Sequence, residues 1–176
     1  LLLACVVPYS LAQTDIPAGP VSGTWAAANS PYRVQGDITI PAESTLTIEP
    51  GVVVEFQGHY GLYILGASSS VTVYGNKIGT NLAGTGAIPN SSYGVYTATG
   101  GSVIGGPFAG QANIISGNGN NGIQITNGGA VIQGNRIGTT PDGNTCLPNN
   151  GYGIYVSGNS SLIGGPNPNE GNIIAC

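Results

Sequence analysis

The sequence predicts an all-β protein built as a parallel β-solenoid, in which short strands coil around one axis. The segment 75–117 recurs as 134–176, 59 residues later and without a gap, and 19 of the 43 paired positions are identical. Repetition at a fixed period indicates stacked structural units. The apolar runs are short and rich in β-branched residues, and glycine and proline bound them. None shows the i, i+3, i+4, i+7 stripe of a helix.

Five segments repeat one order of three short strands. A glycine opens each segment, a first strand follows directly, a second strand lies further on, and a third completes the segment. The opening glycines are Gly36, Gly61, Gly94, Gly122 and Gly153. We therefore expect about five three-strand coils over residues 36–176. Each strand pairs in parallel with its equivalent one coil away, at about 4.8 Å.

Additional residues, which we call excursions, alternate in position along these coils. Two coils carry an excursion after the third strand, at 80–93 and 139–152. Two others carry one between the second and third strands, at 105–112 and 164–171. This alternation explains why the visible period spans two coils rather than one.

The strand alignment predicts columns of apolar side chains that face the solenoid interior. A single coil cannot bury its own apolar face, so stability comes from stacking on neighbouring coils. The predicted columns are Ile40/Leu65, Ile48/Val73/Ile104/Ile132/Ile163 and Ile78/Ile115/Ile137/Ile174.

An asparagine stands at the start of the third strand in four coils. Asparagine suits a tight turn, and side-chain amides stacked at one register bond to each other along the axis. We expect Asn76, Asn113, Asn135 and Asn172 to form an internal asparagine ladder rather than a ligand site.

These motifs resemble the right-handed parallel β-helix repeats of secreted and surface-attached bacterial proteins, which share the pectate-lyase-like fold. The resemblance rests on I-G-G-x6-N-I-I-S-G-N (104–118), N-G-I-Q-I (121–125), G-N-R-I-G-T (134–139) and the opening P-A-E-S-T-L-T-I-E-P-G-V-V-V-E-F (41–56). It covers roughly 31–176 and implies the right-handed coil. The second copy ends mid-coil without a polar cap, so we expect the protein to continue into further chain.

The N-terminal part differs from the repeats. Residues 1–12 are an apolar run that closes on small residues, which is typical of a secretory signal peptide cut before Gln13. A buried strand, or a lipoprotein signal with Cys5 lipidated, are the alternatives. The run is too short for a transmembrane helix, which takes about 20 residues. Residues 13–35 predict an irregular lead-in and cap, where Trp25 covers the first apolar layer or, alternatively, stacks on a carbohydrate.

This reading places the protein outside the cell, either secreted or at the cell surface. Cys146 and Cys176 then remain in the mature chain, an even number in an oxidising compartment, and form a candidate disulfide.

The scarcity of basic residues argues against a nucleic-acid partner. Charged residues are 6% of the chain, the net charge is −4, and Arg33, Lys77 and Arg136 are the whole basic set. Nucleic-acid binding needs clustered Lys and Arg to neutralise phosphates, so we expect no nucleic-acid partner.

The carboxylates predict no catalytic centre. Five of the seven lie within residues 15–55. Glu49 and Glu55 flank a Pro-Gly turn, either as solvated charges that protect an end strand or as a catalytic pair. His59, the only histidine, falls in a turn, and the segment 117–125 lacks the aspartate of the calcium-binding nonapeptide. We therefore predict no catalytic, cofactor-binding or metal-binding residue.

Two functions follow from these observations. The first is a non-catalytic structural or adhesive module with a polysaccharide or cell-surface glycan as its partner. Tyr93, Tyr96, Tyr152 and Tyr155 recur beside the excursions and are candidate glycan contacts, unless they pack on the excursions instead. The alternative is a fragment of a polysaccharide lyase, hydrolase or epimerase whose active coils lie outside this segment.

Overall fold

A computed structural model describes residues 13–58, 60, 62–64, 70–98 and 100–176. These residues form nineteen short strands and one 3-10 helix at Ala27–Asn29. The strands are β1 (Thr14–Ile16), β2 (Gly19–Pro20), β3 (Gly23–Trp25), β4 (Tyr32–Val34), β5 (Ile38–Ile40), β6 (Thr45–Ile48), β7 (Val54–Phe56), β8 (Leu62–Ile64), β9 (Ser70–Val73), β10 (Lys77–Ile78), β11 (Val95–Thr97), β12 (Val103–Gly105), β13 (Ile114–Ile115), β14 (Ile123–Ile125), β15 (Val131–Gln133), β16 (Arg136–Ile137), β17 (Ile154–Val156), β18 (Leu162–Ile163) and β19 (Ile173–Ile174).

The strands build three walls in which every described strand pair is parallel. The first wall is β2-β5-β8-β11-β14-β17, and the second is β3-β6-β9-β12-β15-β18. The third wall consists of β1-β4-β7 and β10-β13-β16-β19, joined by a parallel bridge between Val53 and Lys77. One strand of each wall contributes to each coil. The chain is a parallel β-helix, as the repeats predict, and it is right-handed, as the resemblance implies.

The described residues form six coils, because the lead-in contributes one. Where the sequence predicts an irregular segment, β2, β3 and β4 pair with the next coil, and β1 pairs with β4. The Trp25 ring is 5% exposed and stacks on Tyr32 with ring centroids 4.7 Å apart. Trp25 also pairs with Ile48 in register, so it covers the first apolar layer and leaves no open face for a sugar.

The predicted columns of the second and third walls are present. Ile48, Val73, Ile104, Ile132 and Ile163 lie in one register, and Ile78, Ile115, Ile137 and Ile174 lie in another. All of these side chains except Ile163 and Ile174 are buried, and each buried one contributes roughly 1.5–3 kcal/mol.

The first-wall column is shifted by one residue from the prediction. Ile40 pairs with Ile64 and not with Leu65, which lies outside the described residues. The reason is that one residue, Asp37, separates the opening Gly36 from its strand, whereas the later strands begin directly after their glycines.

The excursions after the third strands are small hairpins. Isolated antiparallel bridges join Thr80 to Ala87 and Thr139 to Cys146. Cys146 is disulfide-bonded to Cys176, with their Cα atoms 5.8 Å apart, so the second hairpin is tied to the last residue of the chain.

Candidate functional site: a tyrosine face on the first wall

One outward column of the first wall carries three tyrosines. Successive residues of a strand point to opposite sides of the sheet, so the middle residue of each three-residue strand faces outward when its neighbours face the core. Val95 and Thr97 are buried, and Tyr96 lies between them on the outer side. The register places Tyr63, Tyr96, Gln124 and Tyr155 in one column.

A second row of tyrosines lies beside this column, at the entrance to the strands. Tyr93 and Tyr152 each precede a glycine that opens a coil. At Gly94 a Cβ atom would lie 2.6 Å from the Gly122 carbonyl oxygen, so only glycine allows the coils to approach this closely. Because the chain turns closely at Gly94, Tyr93 lies beside the first strand of its own coil.

The two rows form two ring clusters. Tyr96 lies 5.7 Å from Tyr63 and 5.6 Å from Tyr93, measured between ring centroids. Tyr152 and Tyr155 form the second cluster, with centroids 5.9 Å apart. These separations lie in the range that aromatic pairs favour. We call the two clusters together the tyrosine face.

The coil between the clusters carries amides in place of tyrosines. Asn121 Nδ2 donates a hydrogen bond to Gln124 Oε1 at 2.6 Å, and Asn121 Oδ1 accepts one from the Tyr152 N–H at 2.7 Å. Both amide side chains are therefore held in fixed positions between the rings. Nearby, the Tyr96 hydroxyl and Thr126 Oγ1 are 3.2 Å apart.

The tyrosine face is open to solvent at one end and more packed at the other. Tyr152 is 67% exposed and Tyr155 is 40% exposed, whereas Tyr63, Tyr93 and Tyr96 are half-buried. Desolvation raises the pKa of Tyr63, with smaller contributions from the Asp37 carboxylate, Tyr93 and Tyr96. The phenol of Tyr63 is therefore neutral at neutral pH. The tyrosine face offers aromatic rings and hydroxyl groups, whereas the amides of Asn121 and Gln124 between the clusters are buried.

All four tyrosines predicted as glycan contacts lie on this face. The sequence reasoning missed Tyr63, a member of this face, and the amides of Gln124 and Asn121 that lie between its two clusters. The signal was present in the strand alignment, because Tyr63 and Gln124 occupy the same middle position of the first strand as Tyr96 and Tyr155.

The four ladder asparagines lie in the turns between the second and third walls and are joined by hydrogen bonds. Asn76 N–H donates to Asn113 Oδ1 at 2.9 Å. Asn113 Nδ2 donates to Asn135 Oδ1 at 2.9 Å, and Asn135 Nδ2 donates to Asn172 Oδ1 at 3.0 Å. Asn76, Asn113 and Asn135 are buried, so the side chains of this ladder bind coil to coil.

The sequence reasoning missed a second asparagine ladder. It lies in the segments that connect a strand of the third wall to the first-wall strand of the next coil. Asn90 Nδ2 donates to Asn118 Oδ1 at 3.0 Å, and Asn118 Nδ2 donates to Asn149 Oδ1 at 2.8 Å. All three residues are buried, including Asn90, whose Asn-Ser-Ser sequence is a glycosylation sequon. The repeated Pro-Asn pairs at 89–90 and 148–149 were the available signal.

The carboxylates singled out by sequence bond different partners. Glu55 pairs with Arg33 at 3.6 Å, and Glu49 Oε2 accepts a hydrogen bond from the Ala27 N–H at 3.2 Å. His59 lies outside the described residues. Within the described ranges, no group of three or more His, Cys, Asp and Glu residues is placed to hold a metal ion.

Comparison with known proteins adds no relative. No protein family matches the chain, and no curated protein or solved structure matches it. In the described part of the chain, no helix has the length and apolar character needed to cross a membrane.

Proposed function

We propose that this chain is a non-catalytic structural or adhesive module of the pectate-lyase-like type, from a secreted or cell-surface protein, and that it binds glycan through the tyrosine face. The observation that carries the proposal is the tyrosine face itself. Sugars present apolar C–H faces and hydroxyl groups, and tyrosine offers a ring for the first and a hydroxyl for the second.

A rigid scaffold supports this function. Two asparagine ladders and the apolar columns fix the coils relative to one another, so the aromatic rings are held before a ligand arrives. Preorganisation of this kind strengthens binding because less side-chain freedom is lost on association.

The shape of the tyrosine face favours an extended ligand. From Tyr63 to Tyr155 the column crosses three coil steps, or about 14 Å at the spacing of paired strands. A linear glycan that runs parallel to the solenoid axis would contact both ring clusters and pass over the buried amides of Asn121 and Gln124 between them.

The test is a glycan array followed by calorimetry on the strongest ligand, using the wild-type protein and the Tyr152→Ala/Tyr155→Ala double variant. Aromatic contacts are worth about 0.5–1.5 kcal/mol each, so loss of both rings is expected to weaken binding about tenfold. Tyr74→Ala, a tyrosine in the turn between the second and third walls, is the matched control and is expected to bind like wild type.

Two results would contradict the proposal. The double variant binding as tightly as wild type would exclude the tyrosine face as the site. Turnover of a polysaccharide that depends on a residue within 13–176 would instead favour the enzymatic alternative.

A further inference from the structure

The alternation of excursions leaves a cleft on the third wall, away from the tyrosine face. The excursions 105–112 and 164–171 belong to coils that are not adjacent, and the intervening coil makes only a short turn at Gly134–Asn135. The space between the two excursions is a cleft of about 450 Å³. This volume lies within the range of small-molecule sites, about 300–1,000 Å³.

The walls of the cleft combine an apolar ring with hydrogen-bond donors. Phe108, on one excursion, lines the cleft and is 74% exposed. Asn169 lies on the opposite excursion. Within the described chain, the backbone N–H groups of Gly110, Ala112 and Gly171, which also line the cleft, make no hydrogen bond.

Arg136, on β16, is the one cationic residue among those that line the cleft. Its Nε is buried and has no hydrogen-bond partner in the described structure. The one ion pair among the described residues joins Arg33 to Glu55, so Arg136 has no carboxylate partner there. A buried donor without an acceptor is costly, by about 1–3 kcal/mol or more for a charged group.

The nearby carboxylates are engaged elsewhere. Glu170 accepts hydrogen bonds from the N–H and Nδ2 of Asn167, at 2.9 and 3.0 Å. Asp142 accepts hydrogen bonds from the Thr140 hydroxyl and, at 3.0 Å, from the Asn144 N–H. Neither Glu170 nor Asp142 lines the cleft.

We propose that this cleft binds a carboxylate carried on a ring, with the carboxylate paired to Arg136 and the ring lying on Phe108. A single cation matches a monoanion better than a doubly charged phosphate. The guanidinium group presents parallel N–H donors that fit a carboxylate in a bidentate manner. This site is independent of the tyrosine face, because it lies on a different wall.

The experiment titrates the oxidised protein with four probes, followed by NMR amide shifts and calorimetry. Benzoate and glucuronate carry the carboxylate on an aromatic and on a sugar ring, and benzamide and methyl glucoside are their neutral counterparts. We expect at least one acid to bind and to shift the amides of residues 106–112 and 169–171, at least tenfold more tightly than its neutral counterpart. Which acid binds more tightly tells whether the natural ligand is an aromatic acid or an acidic sugar.

Substitutions of Arg136 and Phe108 test whether these side chains contact the ligand. Arg136→Gln is expected to weaken binding at least tenfold, and Arg136→Lys to retain part of the affinity because it keeps the charge. Phe108→Ala removes an exposed ring and is expected to weaken binding about threefold to tenfold without altering the fold, so it remains informative if the Arg136 variants misfold. Lys77→Gln is the matched control, since Lys77 is the repeat equivalent of Arg136 outside the cleft.

Three outcomes would overturn the proposal. They are binding of neither acid, equal binding of the acids and their neutral counterparts, or unchanged affinity in both Arg136→Gln and Phe108→Ala. None of them bears on the tyrosine face, whose own test uses different ligands and variants.

Discussion

Replacement of Asn135 by alanine tests whether the first asparagine ladder stabilises the fold. The Asn135 side chain makes five hydrogen bonds. It donates to the Ile104 carbonyl at 2.8 Å, the Gln133 carbonyl at 3.0 Å and Asn172 Oδ1 at 3.0 Å. It accepts from the backbone N–H and the Nδ2 of Asn113, at 3.2 and 2.9 Å.

The expected cost follows from these contacts. Each intramolecular hydrogen bond contributes about 0.5–1.5 kcal/mol net, and a buried donor left without an acceptor costs about 1–3 kcal/mol. Asn135→Ala leaves the buried Asn113 N–H without its acceptor. We expect the free energy of unfolding to fall by about 3–5 kcal/mol, which corresponds to a decrease in Tm of about 6–20 °C for a chain of this size.

The assay is urea and thermal unfolding followed by circular dichroism. Asn127→Ala is the control, because Asn127 is exposed and its side chain makes no hydrogen bond among the described residues. Asn172→Ala, which removes a partly buried member at the end of the ladder, is expected to cost less than Asn135→Ala. If Asn135→Ala unfolded within 0.5 kcal/mol of the Asn127 variant, roughly the size of an ordinary surface substitution, the ladder would not be stabilising in the way we describe.

Three further predictions concern the core, the disulfide and a carboxylate. Ile132→Asp buries a charge in the centre of the second-wall column and is expected to abolish the cooperative β-sheet signal in circular dichroism, whereas Val131→Thr, on the outer side of the same strand, is expected to retain it. Cys146→Ser opens a loop of sequence separation 30, so we expect about 3–4 kcal/mol lower stability, and a reductant should lower the wild-type Tm but leave the variant unchanged. Hydrogen bonds from Asn167 lower the pKa of Glu170, so NMR titration should place its midpoint below that of an ordinary glutamate. The small stabilisation from these bonds is present above the unfolded-state pKa and lost as the pH falls through the folded-state pKa. Asn167→Ala removes the side-chain donor and keeps the backbone N–H, so an unchanged midpoint in this variant would exclude the side-chain bond as the main cause.

Most of the solenoid was predictable because large apolar side chains recur at regular intervals in the sequence. The isoleucines of the second and third walls recur at equivalent positions, and their stacking requires that recurrence. The coil formed by 19–34 was not predictable in this way. Its first strands consist of Gly19–Pro20 and Gly23–Trp25, which carry little β-branched character and have no repeat partner. Backbone pairing with the following coil, rather than local preference, makes these residues strands.

The candidate sites were less predictable, for a different physical reason. A tyrosine at 93 or 152 is visible in the repeat, but its contact with the ring at 96 or 155 depends on how tightly the chain turns at the intervening glycine. The second asparagine ladder was hidden because Asn118 follows its third strand after a short turn, whereas Asn90 and Asn149 each lie near the end of a long excursion. Their common register appears only when the coils are stacked.

The position of the excursions explains how one scaffold presents two different surfaces. One set, at 80–93 and 139–152, follows the third strands, and the other, at 105–112 and 164–171, precedes them. Both sets therefore flank the third wall, and the second set encloses the cleft that contains Arg136. The described strands of the first wall contain no such insertion, and Tyr155 at one end of their outer column is open to solvent. Because apolar columns and asparagine ladders hold the coils from inside, residues are added outside them without breaking the stack. The same repeat can therefore carry both an enclosed ligand site, such as the cleft, and an open one, such as the tyrosine face.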